Sequence, residues 1–413
     1  MKKISEFKSK ISKILNSNNL FFFEEKILQK FGYWPCNKIV YWKIWTFLIL
    51  HITFILIPQI VYTIKSINSN NYLNLVAVAS INLVAFMIIL APLNVVIKRE
   101  KFNKLVANIK FKWLIHSSDE FPKWNQQRNK IVKIGNKCTF YTLCIILLTA
   151  SSFYYIFNLI IFLRYLLSDL DVLDPSINRE TLLKVDFGFN WEYTTFLFYY
   201  KLAIIIPHAL IITNIIAIQS FYLKLVNYAA SFFKLLNERI DKIDELLNNR
   251  SSDDVIQDEI KHFVEDHVDA LETTKLVQQV INDYLLVYCM AITCTVCTLS
   301  FIFSYVVNNI AFLLMTGRLI FALLFNLFLF SLFGSKLMSC SSDISTRIGN
   351  ISWYNIKSTK IKKQFILIML RSQRPEGIKA GKFYFITFDS FLEAINCIIS
   401  YFSVLKALVS GKS

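Results

Sequence analysis

The chain has 413 residues and a mass of 48.2 kDa, a length that would ordinarily give two or three soluble domains. Yet 55% of it is hydrophobic and 15% aromatic, with a mean hydropathy of +0.46, which is too apolar for that. Only 9 Gly and 7 Pro exclude collagen-like and linker-rich readings, the lack of short alternating strands excludes an outer-membrane barrel, and the formal charge of +16 leaves nucleic acid or an anionic membrane face as partner.

Residues 1–38 are basic, with Lys2, Lys3, Lys8, Lys10, Lys13, Lys26, Lys30 and Lys38. They show no short apolar core followed by a small-residue cleavage site, so no removable signal peptide is expected. A span needs about 20 mostly apolar residues. Seven segments qualify: Trp45 to Ile64, Leu73 to Ile97, Cys138 to Leu163, Phe196 to Leu223, Leu285 to Val307, Ile310 to Phe333, and Phe383 to Val409.

Lys and Arg crowd the loop from Lys98 to Lys137 and the segment from Lys336 to Lys382, whereas the alternate loops are nearly free of them. Ser168 to Asn190 is acidic through Asp169, Asp171, Asp174, Glu180 and Asp186. The positive-inside rule therefore puts the N-terminus in the cytoplasm and, with an odd number of spans, the C-terminus outside. Topology accounts for the charge, and no nucleic-acid partner is expected. The expected fold is all-α, a polytopic membrane protein with seven transmembrane helices.

After Leu223 an apolar stripe continues at helical spacing through Leu225, Ala229, Phe232, Phe233, Leu236, Ile240, Ile243 and Leu247, so the fourth helix projects into the cytoplasm. A loop near Asn248 to Asp254 follows, and Ile256, Ile260, Phe263, Val264, Val268 and Leu271 carry the pattern into the fifth span. Ile361, Phe365, Ile368 and Met369 mark a short amphipathic helix before the last span. These helices could pack on one another, on another subunit, or flat on the inner leaflet. The expected divisions are 1–38, a cytoplasmic segment; 39–335, six helices with cytoplasmic extensions; 336–382, a second cytoplasmic segment; and 383–413, the last helix with a short extracellular tail.

Catalytic and metal-binding patterns are thin. His262 and His267 fall on different helix faces, and no phosphate loop, H-E-x-x-H or G-x-S-x-G occurs. Cys294 and Cys297 lie in an apolar helix without further ligands and read as packing residues, and no structural disulfide is expected. The chain is not read as an enzyme, and no cofactor or metal is expected.

Charges inside spans are costly and face protein or water; here they are Lys201, Arg318, Asp389, Glu393 and Lys406. On the last span the face of Asp389 and Glu393 continues through Cys397, Ser400, Tyr401, Val404 and Leu408. Acidic at its cytoplasmic end and apolar near the outside, that face suits a cation path with a hydrophobic constriction. Pairing of Asp389 and Glu393 with Arg371 or Lys382 is the alternative.

Between Trp353 and Leu405 lies an ordered set: Trp353 and Tyr354, Lys360 to Lys363, Met369 with Arg371, Ser372, Gln373 and Pro375, Ala380 with Gly381 and Phe383, and Ser400, Tyr401 and Phe402. This region resembles the carboxy-terminal part of the insect odorant receptor family. The resemblance implies a tetrameric, ligand-gated, non-selective cation channel in the plasma membrane of an olfactory sensory neuron. A variable odorant-binding subunit there assembles with a shared co-receptor, and the last helix of each subunit lines one pore. The loop between spans 4 and 5 lacks the co-receptor's long insertion, and the chain ends ALVSGKS, so it resembles a tuning subunit. Ala407 stands where the co-receptor has Gln, and Lys406 departs from an otherwise apolar turn.

The resemblance further places a pocket for small volatile molecules in the outer half of the bundle, where apolar and aromatic side chains with few polar groups are expected. At that level stand Leu83 and Phe86; Ser151, Tyr154 and Tyr155; Phe196, Tyr199 and Tyr200; and Phe312, Met315 and Thr316. It also implies that the positions of Val404 and Leu408 form the narrowest ring of the closed pore. The expected partners are the co-receptor, a small volatile ligand and membrane lipid. A gustatory receptor shares this architecture; a G-protein-coupled receptor would need the opposite orientation.

Overall fold

The computed structural model describes residues 19–38, 40–52, 56–68, 72–115, 124–137, 139, 205–249, 251–305, 310–353, 356 and 358–410. In chain order the helices are α1 Phe22–Phe31, α2 Tyr41–His51, α3 Ile57–Asn68, α4 Tyr72–Ile97, α5 Arg99–Ile115 and α6 over 124–137. There follow α7 Ile205–Asn248, α8 Asp253–Tyr305, α9 Ile310–Asn350, α10 Thr359–Ser372 and, after a two-stranded hairpin, α11 Phe388–Ser410. Among the described residues five helices, α4, α7, α8, α9 and α11, are long and apolar enough to cross a membrane. The expected span from Cys138 to Leu163 lies outside the described residues save for Thr139. Trp45 to Ile64 is carried by α2 and α3.

Helices α7, α8 and α9 pack side by side and bury the main core, with α4 against α8. The stripe on α7 is inside: Leu225, Ala229, Phe232, Phe233, Leu236, Ile240 and Ile243 are all buried. Each such Leu, Ile or Phe contributes about 1.5–3 kcal/mol relative to exposure. On α8 the expectation needs correcting, because Val264 and Val268 are exposed whereas His267 and Ala270 are buried. Ile256, Ile260, Phe263, His267, Ala270, Thr274 and Val277 alternate by four and three residues, the repeat that keeps one seam facing a neighbouring helix. Geometry at that seam outweighs the polarity of His267. Wedged between the rings of Phe233 and Phe263, its imidazole is pushed down to about 4 by burial, with Arg371 adding to the effect.

The segment beginning near residue 336 continues the helix before it. Helix α9 runs unbroken to Asn350 and buries Leu337, Cys340, Ile344 and Ile348, a stripe at the same spacing as those above. The amphipathic helix α10 buries Ile361, Phe365 and Ile368. At the end of the bundle where α7 turns into α8, helices α7 to α10 thus cover their stripes within the chain.

Helix α1 is tied to this core. Phe21 packs its ring on Phe221 and Tyr228, and α1 ends at Gly32, whose φ of 85° is the left-handed conformation of a helix-terminating glycine. Glu24 is wholly buried. Lys224 Nζ donates to its Oε2 at 2.8 Å and to Asn136 Oδ1 at 2.8 Å, and Ser220 donates to Glu24 Oε1 at 2.6 Å.

Candidate ligand and pore sites

Lone amides inside apolar spans are costly unless paired. Gln219 of α7, Tyr288 of α8 and Asn326 of α9 meet at mid-bundle in a closed ring. Gln219 Nε2 donates to Tyr288 Oη at 3.0 Å, Tyr288 Oη donates to Asn326 Oδ1 at 2.8 Å, and Asn326 Nδ2 donates to Gln219 Oε1. Each group gives once and accepts once, so the ring fixes the three core helices to one another. Tyr284 stacks on Tyr288 and meets Tyr222 edge-on. Asn94 of α4 then donates to Tyr222 Oη and to the Val280 carbonyl, each at 3.0 Å.

Farther along the bundle, Ser80 of α4 donates to Thr298 of α8 at 2.6 Å. Among the described residues, the buried Thr316 hydroxyl and Asn214 amide have no hydrogen-bond partner. Groups of this kind fix the orientation of a small ligand. Of the expected pocket residues, Leu83 is half-buried on α4, Phe86 is half-exposed and Thr316 is buried. Phe312 and Met315 belong to α9 by backbone, but their side chains lie outside the described residues, as do Ser151, Tyr154, Tyr155, Phe196, Tyr199 and Tyr200. Asn214 and the amide ring escaped the sequence reading, which searched the spans for charges; searching for amides would have found them.

The last helix presents three faces. Phe391, Ala394, Ile395, Ile398, Phe402 and Leu405 pack inward, the last two against Phe301 and Ile302 of α8. Asp389, Glu393, Asn396, Cys397, Ser400, Tyr401, Ser403 and Val404 are exposed. A third, apolar flank exposes Leu392 and Ile399. Among the described residues, Arg371 pairs with Glu376 rather than with Asp389 or Glu393, which removes one of the two alternatives for the acidic pair. The Leu408 side chain lies outside the described residues.

The entry to α11 starts at Phe388, later than the hydropathy boundary at Phe383, because Lys379–Ala380 and Tyr384–Phe385 form an antiparallel hairpin (β1, β2). Gly381 turns it with φ 62°. Gln278 of α8 acts as a third strand: its Oε1 accepts from Lys379 N–H at 2.7 Å and its Nε2 donates to the Lys379 carbonyl at 3.1 Å. On the α9 side, Phe388 N–H donates to Ser335 Oγ at 2.9 Å, and Gly334 lets the chain at Ile386 lie directly on the helix. The start of α11 is therefore held by both α8 and α9. Among the described residues no cluster of His, Cys, Asp or Glu could hold a metal ion.

The family described as 7tm Odorant receptor matches residues 72–399. Odorant receptor Or2 of Anopheles gambiae is 26% identical over 195 residues, covering 46% of this chain and 51% of that protein. The odorant receptor coreceptor of Aedes aegypti is 25% identical over 156 residues, 37% of this chain and 32% of that one. The chain thus spans about half or less of the curated relatives it matches. The insect olfactory receptor OR5 from Machilis hrabei, solved in complex with eugenol, superposes with a TM-score of 0.68 at 14% identity, over 93% of this chain and 97% of that one, a likeness of fold alone.

Proposed function

The chain belongs to the odorant receptor family, as its match over residues 72–399 shows, and from that premise we propose that it is an odorant-tuning subunit of a ligand-gated, non-selective cation channel. It crosses the plasma membrane seven times with its N-terminus inside, and it assembles with a co-receptor around a central tetrameric pore. The observation that carries this reading is α11, a membrane-length helix on which, among the described residues, Ile398 alone is fully buried and which bears Asp389, Glu393, Asn396, Ser400 and Ser403 on an exposed face. Polar and ionisable groups at that depth belong against a water-filled path or protein, not lipid, so neighbouring copies of α11 enclose them.

A small volatile ligand binds in the outer half, where Thr316 and Asn214 carry polar groups without a partner among the described residues. Its binding shifts α7, α8 and α9 against the amide ring. Because α8 and α9 hold the hairpin and Phe388, their shift reaches the pore helix at its root. Opening moves the apolar side chains at Val404 and Leu408 away from the axis, ending exclusion of hydrated cations by dewetting.

Voltage clamp of cells expressing the chain with and without a co-receptor, screened with a panel of volatiles, tests this. Odorant-evoked cation current only in the co-expressing cells supports the reading; evoked current that requires a G protein sinks it. Orientation has its own check. Asn249 and Asn350 head glycosylation sequons on the side assigned to the cytoplasm, and a glycan on either would reverse the topology.

A further inference from the structure

The apolar runs of α7 and α9 end at Leu223 and Phe333, and polar side chains just beyond those points meet at the seam between the two helices. Lys336 Nζ donates to Asn227 Oδ1 at 2.7 Å and lies 5.8 Å from the centre of the Phe333 ring. Lys234 stands seven residues after Asn227, two helical turns along the same face of α7. The charges of Lys234 and Lys336 both act on the Cys340 thiol, and Lys234 acts on Lys336 as well, so the two ammonium groups share one end of the seam.

Asn227, Lys234 and Lys336 are half-buried, and what they leave unused are donors. Lys336 occupies the Asn227 carbonyl oxygen, which leaves the amide N–H groups, two protons on Lys336 and three on Lys234. Among the described residues neither lysine has a carboxylate within ion-pair distance. Asp343, which also acts on Cys340, is exposed and pairs with neither, and the nearby Lys224 is already neutralised by Glu24 at 2.8 Å. Burial, and after it the charge of Lys234, lowers the pKa of Lys336. Two cations held together partly out of water lack an anion.

Charge and donor count identify its class. A phosphate monoester carries about −1.5 to −2 charge at pH 7 and three acceptor oxygens, which matches two ammonium groups and an amide. A cleft of about 150 Å³ leads from Asn227 along α7 and α9. Leu223, Leu329 and Phe333 give it an apolar wall, and Gln219 and Asn326 of the amide ring close its far end. A free ion makes no use of such a wall, whereas the glycerol end of a lipid does.

We propose that Asn227, Lys234 and Lys336 bind the phosphate monoester of an anionic phospholipid such as a phosphoinositide, with the glycerol end of the lipid in the cleft. The bound headgroup ties α7 to α9 between the amide ring and the α7–α8 turn. Its assignment to the inner leaflet rests on the orientation proposed above; recognition of the phosphate does not.

The test titrates full-length protein in detergent with a fluorescent phosphatidylinositol bisphosphate. Lys234→Met and Lys336→Met keep the stem and remove the charge, and each should weaken binding by roughly tenfold or more, as for a charge-assisted hydrogen bond. Lys363→Met, on the exposed side of α10, should not. Phosphatidylinositol, which has no monoester, should bind the unaltered chain as weakly as the bisphosphate binds those two variants. Where a methionine variant fails to fold, lysine acetylation of the unaltered chain with peptide mapping serves instead: the bisphosphate lipid should shield Lys234 and Lys336 and leave Lys363 reactive.

Equal affinity for the two lipids, or a bisphosphate lipid that shields neither lysine, overturns the proposal. Inositol trisphosphate that shields both lysines at the same concentration as the lipid would assign them to a soluble phosphate and overturn the lipid. Detergent removes the two faces of the membrane, so a glycan at Asn249 would reverse the topology without changing this binding, whereas indifferent binding would sink the site and leave the topology intact.

Discussion

A methyl group at Gly334 tests whether α9 and the root of α11 move as one body. A Cβ built there falls 2.1 Å from the Ile386 carbonyl oxygen and 3.1 Å from its carbon. Carbon–oxygen contacts settle near 3.3–3.6 Å, so the backbone at Ile386 must retreat by roughly 1 Å. That backbone cannot retreat alone, because Ile386 N–H donates to the Ile378 carbonyl at 2.8 Å and Lys379 is bonded to Gln278. Gly334→Ala should therefore cost about 1–3 kcal/mol, as overpacking does, after a helix-propensity gain of up to about 1 kcal/mol. Gly349 on the same helix is the control, since a Cβ there meets nothing within 4 Å and Gly349→Ala should be neutral or stabilising. Thermal unfolding in detergent, followed by size exclusion, reads both, and patch clamp of the assembled channel should show altered resting current for Gly334→Ala alone. If the two variants unfold and conduct alike, the close approach at Ile386 carries no constraint and the coupling argument fails.

Val404 is 56% exposed while Leu405 packs on Phe301 and Ile302, so Val404→Ser, like Leu408→Ser, should raise current in the absence of odorant, whereas Leu405→Ser should lower surface expression; equal behaviour of all three would remove this helix from the gate. Burial of His267, with Arg371 adding to it, depresses its pKa from 6.5 to about 4; the unfolded chain then binds the extra proton between these values, so stability is complete above pH 6.5 and falls by up to roughly 3 kcal/mol as pH drops through that window. Unfolding of the unaltered chain and of His267→Gln across this range should show the acid limb flatten in the variant. Glu24→Gln strands the buried Lys224 ammonium and should cost about 3–5 kcal/mol, with much of it recovered in Glu24→Gln/Lys224→Met; a single variant as stable as the parent would show that water reaches the pair.

Period was the most legible signal in the sequence. The α7 stripe can be written down residue by residue because Leu225 to Ile243 are apolar on one side and charged on the other. The same method misplaced the α8 seam, since Val264 and Val268 advertise burial more loudly than His267, and only the neighbour's position decides. It passed over Leu337, Cys340, Ile344 and Ile348 because charge density there draws the eye to a loop. The hairpin left almost no trace, as two-residue strands have no alternation to read and one of its partners is a side chain about a hundred positions earlier. Contacts such as Gln219 with Asn326, or Glu24 with Lys224, are long-range by nature, and each residue alone looks like an isolated polar group in an unlikely place. Exposed Asp389 and Glu393 were readable because a charge inside a span is itself the anomaly.

Helix α8 runs for 53 residues without a break, so at 1.5 Å per residue it is a rod about 80 Å long, well over twice the ~30 Å depth of the hydrocarbon core. One end reaches Thr298 and Phe303, and the half toward Asp253 carries Gln278, the residue that grips the hairpin. In the proposed channel, with the amide ring at Tyr288 as a fulcrum, a tilt of a few degrees forced by a ligand at one end would arrive as a displacement of an ångström or so at the other. A rigid beam of this kind needs no chain of rotamer changes to carry a signal. Inserting a flexible Gly-Gly pair into α8 between the ring and Gln278 should therefore silence odorant responses while leaving odorant binding in place.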